Sequence, residues 1–567
     1  MVSQPPPAES DYTPRQRYNP QAIAQYCRRR PWQVIARAIV VFSLLAGFLL
    51  GFLGDRLFRQ VDTNKLKRAA QLRNLLTCLG PTFIKVGQAL STRPDLVQQD
   101  FLDELIKLQD QLPPFDNALA FATIERELDR PIDEVYREIG PNPIAAASLG
   151  QVYKATLPSG EQVAVKVQRP NLLPTIQLDL FLLRWAVTWL GPLLPLNLGH
   201  NLTLIVDEFG TKLYEEIDYL HEARNAERFA TNFRNDPSVK VPAIYWRYTG
   251  HRVLTLEWID GFKLTDTDAV KAAGIDPDEV IRVGVISGLR QLLEFGFFHA
   301  DPHPGNLFAM ADGRMAYIDF GMMDQLEVET KETIATSIVH LINRDYYALA
   351  DDFNQLGFLT PETDITPIIP ALERVLGNAM GESVGEFNFK TITDEFSDLM
   401  YEYPFRVPAK FSLIIRSLVT QEGLALTLNP NFKIVEIGYP YVAQRLLQGE
   451  SPQMRRRLLD VLFQDDQFQW ERLENMIAIA QSDGSFDLLP TAQMGLQYLL
   501  SAEGRYLRNQ LLLALTENDR LHTQEVQRIW ELVKGEFEPN RLWNAAWTTL
   551  QGFSSTQVAT LIGRDSQ

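Results

Sequence analysis

Cysteine is nearly absent from this chain, which contains only Cys27 and Cys78 among 567 residues. Two cysteines cannot build a disulfide framework or a cysteine-rich metal site, and this composition fits a reducing compartment. The chain is long enough for two to four domains and for a sizeable hydrophobic core.

Basic residues are also outnumbered, with 54 Lys and Arg against 71 Asp and Glu and a net charge of −17. A nucleic-acid-binding surface neutralises phosphates with clustered Lys and Arg. The composition therefore argues against nucleic acid as a partner.

The start of the chain is an exception, since residues 1–60 contain eight Arg and only three Asp or Glu. Within it, residues 1–30 are basic and rich in Pro and polar residues, and we predict that they are disordered. The uncharged apolar run at residues 38–54 is just long enough to cross a bilayer. Residues 31–56 are therefore predicted to form a membrane helix that spans the bilayer or lies in its interface. The alternative is a buried helix of a soluble domain.

Two further features bear on a membrane. Ser43, Gly47 and Gly51 recur at four-residue spacing on one face of the run, a pattern that permits close helix contact in lipid. The apolar segment 185–198 contains two prolines, so it is expected to be buried or interfacial rather than spanning. Arg residues flank residues 38–54 on both sides, and this leaves the orientation undecided.

The most specific pattern is the run from His299 to Asn306, His-Ala-Asp-Pro-His-Pro-Gly-Asn, followed thirteen residues later by Asp319-Phe-Gly. Protein kinases place a catalytic Asp, a metal-binding Asn and a second metal-binding Asp in this order and spacing. We predict that Asp301 orients a hydroxyl or water nucleophile, and that Asn306 and Asp319 hold Mg²⁺ on the phosphates of ATP. The histidines of the run are interpreted as structural, because no Cys or third His is near enough in sequence for a zinc site.

Lys166 ends the strand-like sequence Val163-Ala-Val-Lys and matches the kinase lysine that holds the α- and β-phosphates. Such a lysine needs a carboxylate partner on a helix. Glu216, Asp218 and Glu222 are all candidates, and Glu222 is our choice among them. The backbone of the connector at Glu257 and Ile259 is predicted to contact the base.

The glycine-rich loop that covers the phosphates in kinases is missing. In its place are Ala145, Ala146, Ala147, Ser148 and Gly150. Alanine resists positive φ, so this loop must be stiffer than a glycine cradle. Ser148 and Gly150 could still bring a hydroxyl and a backbone N–H to the nucleotide.

The order of predicted elements indicates an α+β chain with a bilobal protein-kinase-like fold. A helical extension at residues 57–140 precedes an amino-terminal lobe with inserted helices at residues 141–262. The carboxy-terminal lobe is predicted at residues 263–440, and an all-helical region at residues 441–567.

Together these motifs resemble those of the UbiB family, also called the AarF family, of atypical protein-kinase-like proteins. Three further motifs carry the resemblance, which covers roughly residues 75–440. They are Lys85-Val-Gly-Gln88 (KxGQ), the alanine-rich loop ending at Ser148, and Glu216-Ile-Asp218 (ExD).

The resemblance implies that the amino-terminal extension packs over the cleft where a protein substrate would bind. Lys85 and Gln88 would face the nucleotide pocket, meet Glu216 and Asp218, and restrain protein phosphorylation. The family is associated with ATP hydrolysis and with the synthesis or handling of ubiquinone, plastoquinone and related prenyl lipids at membranes.

The expected function is therefore that of an ATP- and Mg²⁺-dependent atypical kinase or ATPase, bound to a membrane with its catalytic domain on the cytoplasmic, ATP-containing side. Membrane or prenyl lipids and enzymes of quinone biosynthesis are the candidate partners, and a homodimer is left open. Two other functions stay open: a non-catalytic scaffold that binds nucleotide and lipid, and a kinase of lipids or small molecules.

Overall fold

A computed structural model describes residues 17–91, 97–108, 113–190, 202–359, 363–380, 407–448, 462–464 and 467–480, together with residues 458, 527, 528 and 531. The chain divides into two compact units. The first comprises Met1–Gly284, Phe297–Gln325 and Ser397–Pro430, and the second comprises Val285–Gly296, Leu326–Phe396 and Asn431–Gln567. All predicted site residues belong to the first unit, so the geometry of the site is internal to it.

Helices form the start of the described chain: α1 (Pro20–Arg28), α2 (Pro31–Leu57), α3 (Val61–Leu79), α4 (Pro81–Leu90) and α5 (Gln99–Leu105). Proline begins α1, α2 and α4, where the missing N–H would have had no partner within the helix. Asn19 caps α1 by accepting the backbone N–H groups of Gln21 and Ala22. The prediction of disorder at residues 1–30 is therefore wrong for 20–28, while residues 1–16 lie outside the described residues.

An antiparallel sheet follows, preceded by α6 (Asn117–Leu128) and α7 (Ile132–Val135). Its strands are β1 (Glu138–Ile139), β2 (Ala145–Ala146), β3 (Gly150–Thr156), β4 (Gln162–Gln168) and β6 (Val253–Glu257). They are ordered β1-β3-β4-β6, and β2 also pairs with β3. A turn with Gly160 at φ 101° joins β3 to β4, a conformation that glycine adopts without strain.

The core of this sheet shows that the predicted lobe boundary at residue 141 was wrong. Val163, Val165 and Val167 alternate along β4 and are buried against Ile124 and Ala120 of α6. Helix α6 therefore belongs to the lobe, which starts within the segment that we had assigned to the helical extension.

Three inserted helices lie between β4 and the rest of the sheet: α8 (Leu172–Leu190), α9 (Leu202–Glu216) and α10 (Tyr219–Asn232). Helix α10 starts at an Asp218 cap that accepts the backbone N–H of Leu220. Residues 191–201, which include most of the predicted apolar segment 185–198, lie outside the described residues.

Short strands carry the kinase-like motifs. They are β5 (Val239–Lys240), β7 (Phe262–Lys263), β8 (Phe297–His299), β9 (Leu307–Ala309), β10 (Met315–Tyr317) and β11 (Met323–Gln325). One sheet has the order β5-β10-β9-β7, and β8 pairs with β11. Helices α11 (Thr267–Ala272) and α12 (Pro277–Leu289) and a π-helix (Arg290–Phe295) come before β8. The run from His299 to Asn306 therefore begins at the end of β8 and stops at the start of β9. The Asp319-Phe-Gly segment lies between β10, which pairs with β9, and β11, which pairs with β8.

The rest of the chain is mainly helical where it is described: α13 (Val328–Ile342), α14 (Tyr346–Gln355), α15 (Ile369–Met380), α16 (Ala409–Leu428), α17 (Ile434–Gln448) and α18 (Trp470–Ala480). This confirms the predicted helical carboxy-terminal region. A hairpin of β12 (Phe463–Gln464) and β13 (Gln467–Phe468) is a small addition to it.

Candidate active site

Three charged side chains from distant parts of the sequence meet in the first unit. Lys166 Nζ lies 2.5 Å from Glu222 Oε1 and 3.3 Å from Asp319 Oδ2. Because Val165 and Val167 face the core of the sheet, alternation along β4 directs Lys166 to the opposite face, where α10 and the end of β10 lie. Of the three candidate carboxylates, the structure thus places Glu222 on Lys166.

The ionisation of this cluster follows from burial and from the three charges. Burial alone would lower the pKa of Lys166, but Asp319 and Glu222 outweigh it and raise the pKa. Burial raises the pKa of Glu222 to about 7, so here it outweighs the attraction of Lys166. Burial would also raise the pKa of Asp319, but Lys166 and the backbone N–H of Gly321 hold it below its ordinary range. Asp319 is therefore the ionised partner of Lys166, and Glu222 can carry a proton near neutral pH.

Hydrogen bonds attach the Asp319-Phe-Gly segment to α10. Glu222 Oε1 accepts the backbone N–H of Phe320 at 3.4 Å, and the Asn225 amide donates to the Phe320 carbonyl at 3.0 Å. Asp319 Oδ1 accepts the backbone N–H of Gly321 at 2.9 Å. One third of the Asp319 side chain remains exposed, so its carboxylate is held in place while still open to a ligand.

His299 organises the backbone of the catalytic loop. Its Nδ1 accepts the N–H of Asp301 at 3.1 Å, and its Nε2 lies 2.9 Å from the backbone oxygen of Asp319. Burial lowers the pKa of this imidazole, which suits a neutral ring that accepts at Nδ1 and donates at Nε2. The structural role predicted for His299 is thus shown by its hydrogen bonds.

Asp301 has a partner that was not foreseen from the sequence. Arg416 of α16 places Nη2 2.9 Å from Asp301 Oδ2, and both side chains are about one-fifth exposed. The two residues are 115 positions apart. A single Arg within a helical pattern gives no signal of such a contact, and only the packing of α16 on the catalytic loop reveals it.

Asn306 and Asp319 lie at the same end of the β9–β10 hairpin. Asn306 ends a short 3₁₀ turn, and its carbonyl accepts the N–H of Ile318, the residue before Asp319. The part of the chain that the structure describes holds no group of three or more His, Cys, Asp or Glu side chains suited to a metal ion. One carboxylate and one amide oxygen nevertheless fit Mg²⁺, which takes oxygen ligands and completes its shell with water and phosphate.

The alanine-rich loop is the turn of the β2–β3 hairpin, closed by a bond from the Ala147 N–H to the Gly150 carbonyl. Ala145 and Ala147 are exposed and Ala146 is half-buried, whereas Ser148 and Gly150 are buried. Ser148 and Gly150 are thus the buried members of this loop.

Close packing explains the glycine at position 150. A Cβ there would lie 2.5 Å from the Tyr219 hydroxyl and 2.5 Å from the Val167 carbonyl oxygen. Gly150 thus lets the loop approach α10 and β4, and its contact with the nucleotide stays a prediction.

The connector residues predicted to contact the base lie at the end of β6. The Glu257 carboxylate lies 2.7 Å from Lys240 Nζ, and the backbone N–H of Glu257 donates to the Ala243 carbonyl. The N–H of Glu257 is thus already engaged within the lobe. Ile259 lies two residues further on and is half-buried.

The KxGQ and ExD motifs meet through one ion pair. Lys85 Nζ lies 2.5 Å from Glu216 Oε1, and both side chains are largely buried. Glu216 is also close to the Asp-Phe-Gly segment, since a Cβ at Gly321 would lie 3.7 Å from its Cγ. The amino-terminal extension therefore reaches the immediate surroundings of Asp319.

Other residues of these motifs also make contacts that hold them in place. The Gln88 amide donates to the Leu108 carbonyl at 3.3 Å. Asp218 caps α10 and binds His251 Nδ1 at 2.9 Å. Gly87 permits close packing, because a Cβ there would overlap the side chains of Leu76 and Leu108. Of the four predicted regulatory residues, Lys85 and Glu216 are thus in direct contact with each other.

Family models define the class to which this fold and site belong. Residues 107–353 match the ABC1 atypical kinase-like domain, and residues 372–433 match the UbiB helical domain. The chain therefore belongs to the ABC1/UbiB family, which confirms the predicted family and its kinase-like fold.

Individual relatives extend this result over nearly the whole chain. An uncharacterized protein of Synechocystis sp. is 68% identical over 98% of this chain and 99% of its own length. The chloroplastic proteins ACTIVITY OF BC1 COMPLEX KINASE 1 and 3 of Arabidopsis thaliana are 49% and 45% identical over 83% and 89% of this chain, and the matches cover 71% and 70% of those proteins. A solved structure titled as the Rv3197–erythromycin complex from Mycobacterium tuberculosis is 24% identical, with a TM-score of 0.46 over 65% of this chain and 94% of that one.

Proposed function

We propose that this protein is an ATP- and Mg²⁺-dependent atypical kinase or ATPase. The observation that carries the proposal is the meeting of Lys166, Glu222 and Asp319. A lysine held between a helix carboxylate and an Asp-Phe-Gly aspartate is the arrangement with which kinases bind the phosphates of ATP. Structural support alone would not account for it, because burying three ionisable groups together is costly.

Each group would then have one role. Lys166 binds the α- and β-phosphates while Glu222 holds its ammonium in position. Asn306 and Asp319 hold Mg²⁺, which would offset the charge of the phosphate oxygens. Asp301, placed by His299 and Arg416, orients the attacking hydroxyl or water.

The ion pair between the extension and Glu216, beside Gly321, favours a small nucleophile. Lys85 and Glu216 form a buried pair beside Gly321, on the side where the extension packs. We propose that this pair restrains protein phosphorylation, so that the acceptor is water or the hydroxyl of a small molecule or lipid.

The setting is proposed to be a membrane with prenyl lipids, where the protein would support quinone synthesis or handling. Its chloroplastic relatives carry the name ACTIVITY OF BC1 COMPLEX KINASE. Helix α2 exposes most of its apolar length, as a membrane-associated segment would. The catalytic domain would lie on the ATP-containing side.

Phosphate release tests the proposed chemistry. The purified full-length chain, with MgATP and phospholipid vesicles, should release phosphate, and Asp319→Asn should abolish the release because it removes the metal-binding charge. Asp312→Asn, in the exposed turn between β9 and β10, is the matched control and should keep full activity. Unchanged release in Asp319→Asn would contradict the metal assignment.

Two further measurements on the same protein, phosphate transfer to lipid and nucleotide binding, separate the two remaining functions. Transfer of labelled phosphate from ATP to an extracted membrane lipid would show a lipid kinase. Tight nucleotide binding without release or transfer would show a scaffold instead of an enzyme.

A further inference from the structure

Helix α2 has apolar residues on all sides, but its two faces have different surroundings. Its most apolar 18-residue window has a mean hydropathy of 2.3, and only 6% of that window is buried within the protein. The residues that the structure describes therefore do not cover α2 as the buried-helix alternative requires.

One face of α2 packs against its own domain. Val34, Ala38, Val41, Leu45 and Phe48 follow one another at helical spacing and join a cluster with residues of α3, α4 and α8. This packed face fixes α2 along the domain rather than leaving it as a separate span.

Polar contacts hold both ends of the packed face. Near its start, Arg37 Nε binds Asp179 Oδ1 of α8 at 2.7 Å, and Arg37 Nη2 donates to the Leu79 carbonyl at 2.6 Å. Near its end, Asp55 pairs with Arg68 of α3, and Arg68 Nη2 donates to the Gly51 carbonyl at 2.8 Å. A Cβ at Gly51 would overlap the Arg68 guanidinium, so the absence of a side chain at Gly51 makes room for Arg68 of the same chain. The sequence pattern had suggested close contact with another helix in lipid at this position.

The rest of α2 exposes apolar side chains, among them Val40, Leu44 and Leu49 towards the sides of the packed face. We call one row of the exposed side chains the outward stripe; its residues are 47–80% exposed and are Trp32, Ile35, Ile39, Leu50, Leu53 and Leu57. At 100° per residue they fall within about 60° of one another around the helix. Trp185 of α8 widens this surface, since it contacts Phe42 edge-on and is itself exposed.

These contacts are incompatible with a spanning helix. A span would draw α3, which packs along α2, into the hydrocarbon together with the charged side chains of Lys67 and Arg73. Charged side chains in the hydrocarbon are strongly unfavourable. Because the domain covers one face of α2, only the exposed side is available to an apolar layer, and the helix can enter it lying in the plane of the interface.

The charges at the two ends of α2 identify the lipid class. Arg28, Arg29 and Arg30 precede the helix, Arg56 and Arg59 close it, and all five are exposed. The chain as a whole carries −17, whereas the two flanks of α2 are basic and can approach an anionic surface favourably.

We propose that α2 docks in the plane of an anionic lipid surface, with the outward stripe inserted below the headgroups and its arginines at the headgroup level. This inference rests on the membrane association in the proposed function and adds its geometry. Both ends of α2 then lie on the same side of the membrane as the catalytic domain.

Cysteine accessibility tests the geometry. In full-length chain with Cys27→Ala and Cys78→Ser, Gln25→Cys and Gln60→Cys place single thiols at exposed neutral positions before and after α2. In sealed inside-out membrane vesicles from an expressing bacterium, a membrane-impermeant maleimide should label both equally, with no increase in detergent. Labelling of only one end until detergent is added would overturn the proposal.

Paired charge substitutions test the stripe itself. Leu50→Glu should weaken co-sedimentation with phosphatidylglycerol vesicles about tenfold or more, because it places a charge among the inserted residues. Leu66→Glu on α3 is the matched control, since Leu66 is 66% exposed and Leu50 69%, and it should bind like the unmodified chain. Equal losses in both variants, or equal binding to uncharged phosphatidylcholine vesicles, would refute the assignment.

Two other results are informative. A lipid-free chain that sediments as a dimer, and as a monomer after Leu50→Glu, would identify a second copy as the occupant of the stripe and overturn the proposal. If the protein releases no phosphate but both thiols are labelled, the proposed chemistry is wrong. The docking geometry is then still supported.

Discussion

The buried Glu222 carboxylate makes a distinctive prediction about pH. Its pKa in the folded protein is about 7 against an ordinary 4.5, because burial outweighs the attraction of Lys166. Between these pH values the folded chain holds a proton at Glu222 that the unfolded chain has released. The contribution of Glu222 to the free energy of unfolding should therefore fall as pH rises from 4.5 to 7.

The size of the effect follows from that difference in pKa. Each pKa unit corresponds to about 1.4 kcal/mol, so the shift from 4.5 to about 7 gives a loss of up to about 3 kcal/mol across the window. Asp319 contributes in the opposite sense, since its lowered pKa gives stability that is lost only as pH falls below the ordinary range of an aspartate. The raised pKa of Lys166 acts only at alkaline pH, where its stabilisation is lost as pH rises. Glu222 thus dominates the contribution of this cluster between pH 4.5 and 7.

Glu222→Gln isolates this contribution because it keeps the shape and removes the titration. Urea unfolding at pH 5 and pH 7.5 should show a smaller loss of stability in the variant than in the unmodified chain, by up to about 3 kcal/mol. Glu134→Gln, at an exposed position of α7, should follow the unmodified chain. An identical pH dependence in Glu222→Gln and the unmodified chain would refute the reasoning.

The same variant should also impair catalysis. In an assay above pH 7, where Glu222 is ionised, the substituted amide would keep a hydrogen-bond acceptor for Lys166 but lose the charge, and charge-assisted bonds are worth about 1.5–3 kcal/mol. Phosphate release should therefore show kcat/KM for ATP lowered roughly 10- to 100-fold.

Two further predictions concern the catalytic loop and the extension. Arg416→Ala should lower kcat about tenfold and leave KM for ATP unchanged in steady-state assays, because Asp301 loses its partner but the phosphate-binding groups remain. Arg416→Lys should retain most of the activity. A rise in kcat in Arg416→Ala would show instead that the ion pair restrains Asp301. Gly87→Ala should lower the free energy of unfolding by about 1–3 kcal/mol in urea titrations, because its Cβ overlaps Leu76 and Leu108. Gly47→Ala, which meets open space, should be neutral or slightly stabilising, and equal losses in the two glycine variants would contradict the packing role of Gly87.

Much of the candidate site could be predicted because its residues sit in motifs of fixed spacing. Strand alternation in β4 directs Lys166 away from the core, and the position of Glu222 in the first turn of α10 places it opposite. The spacing between Asn306 and Asp319 is that of residues before and after a hairpin, which places the two at the same end of it. Local sequence is sufficient for such features.

Features that depend on packing between distant segments could not be predicted in this way. The pairing of Arg416 with Asp301 joins residues 115 positions apart, and nothing near either residue indicates it. The burial of Ser148 and the contact of Gly150 with Tyr219 arise only when the loop packs on α10. Hydrophobic pattern alone was equally unable to orient α2, since its two faces are both apolar and differ only in what α3 and α8 cover.

The lobe boundary shows a further limit. Strand β1 has two residues, too few for an alternating pattern, and α6 has the pattern of an ordinary amphipathic helix. Their place in the amino-terminal lobe follows from contacts with β3 and β4, which the sequence does not display.

A structure of the full-length chain with Mg²⁺ and a non-hydrolysable ATP analogue would test the central claim most directly. The account predicts that Lys166 contacts the α- and β-phosphates while still bonded to Glu222, and that the metal is bound by Asn306 and Asp319. A nucleotide bound elsewhere, or a metal bound without Asp319, would contradict it.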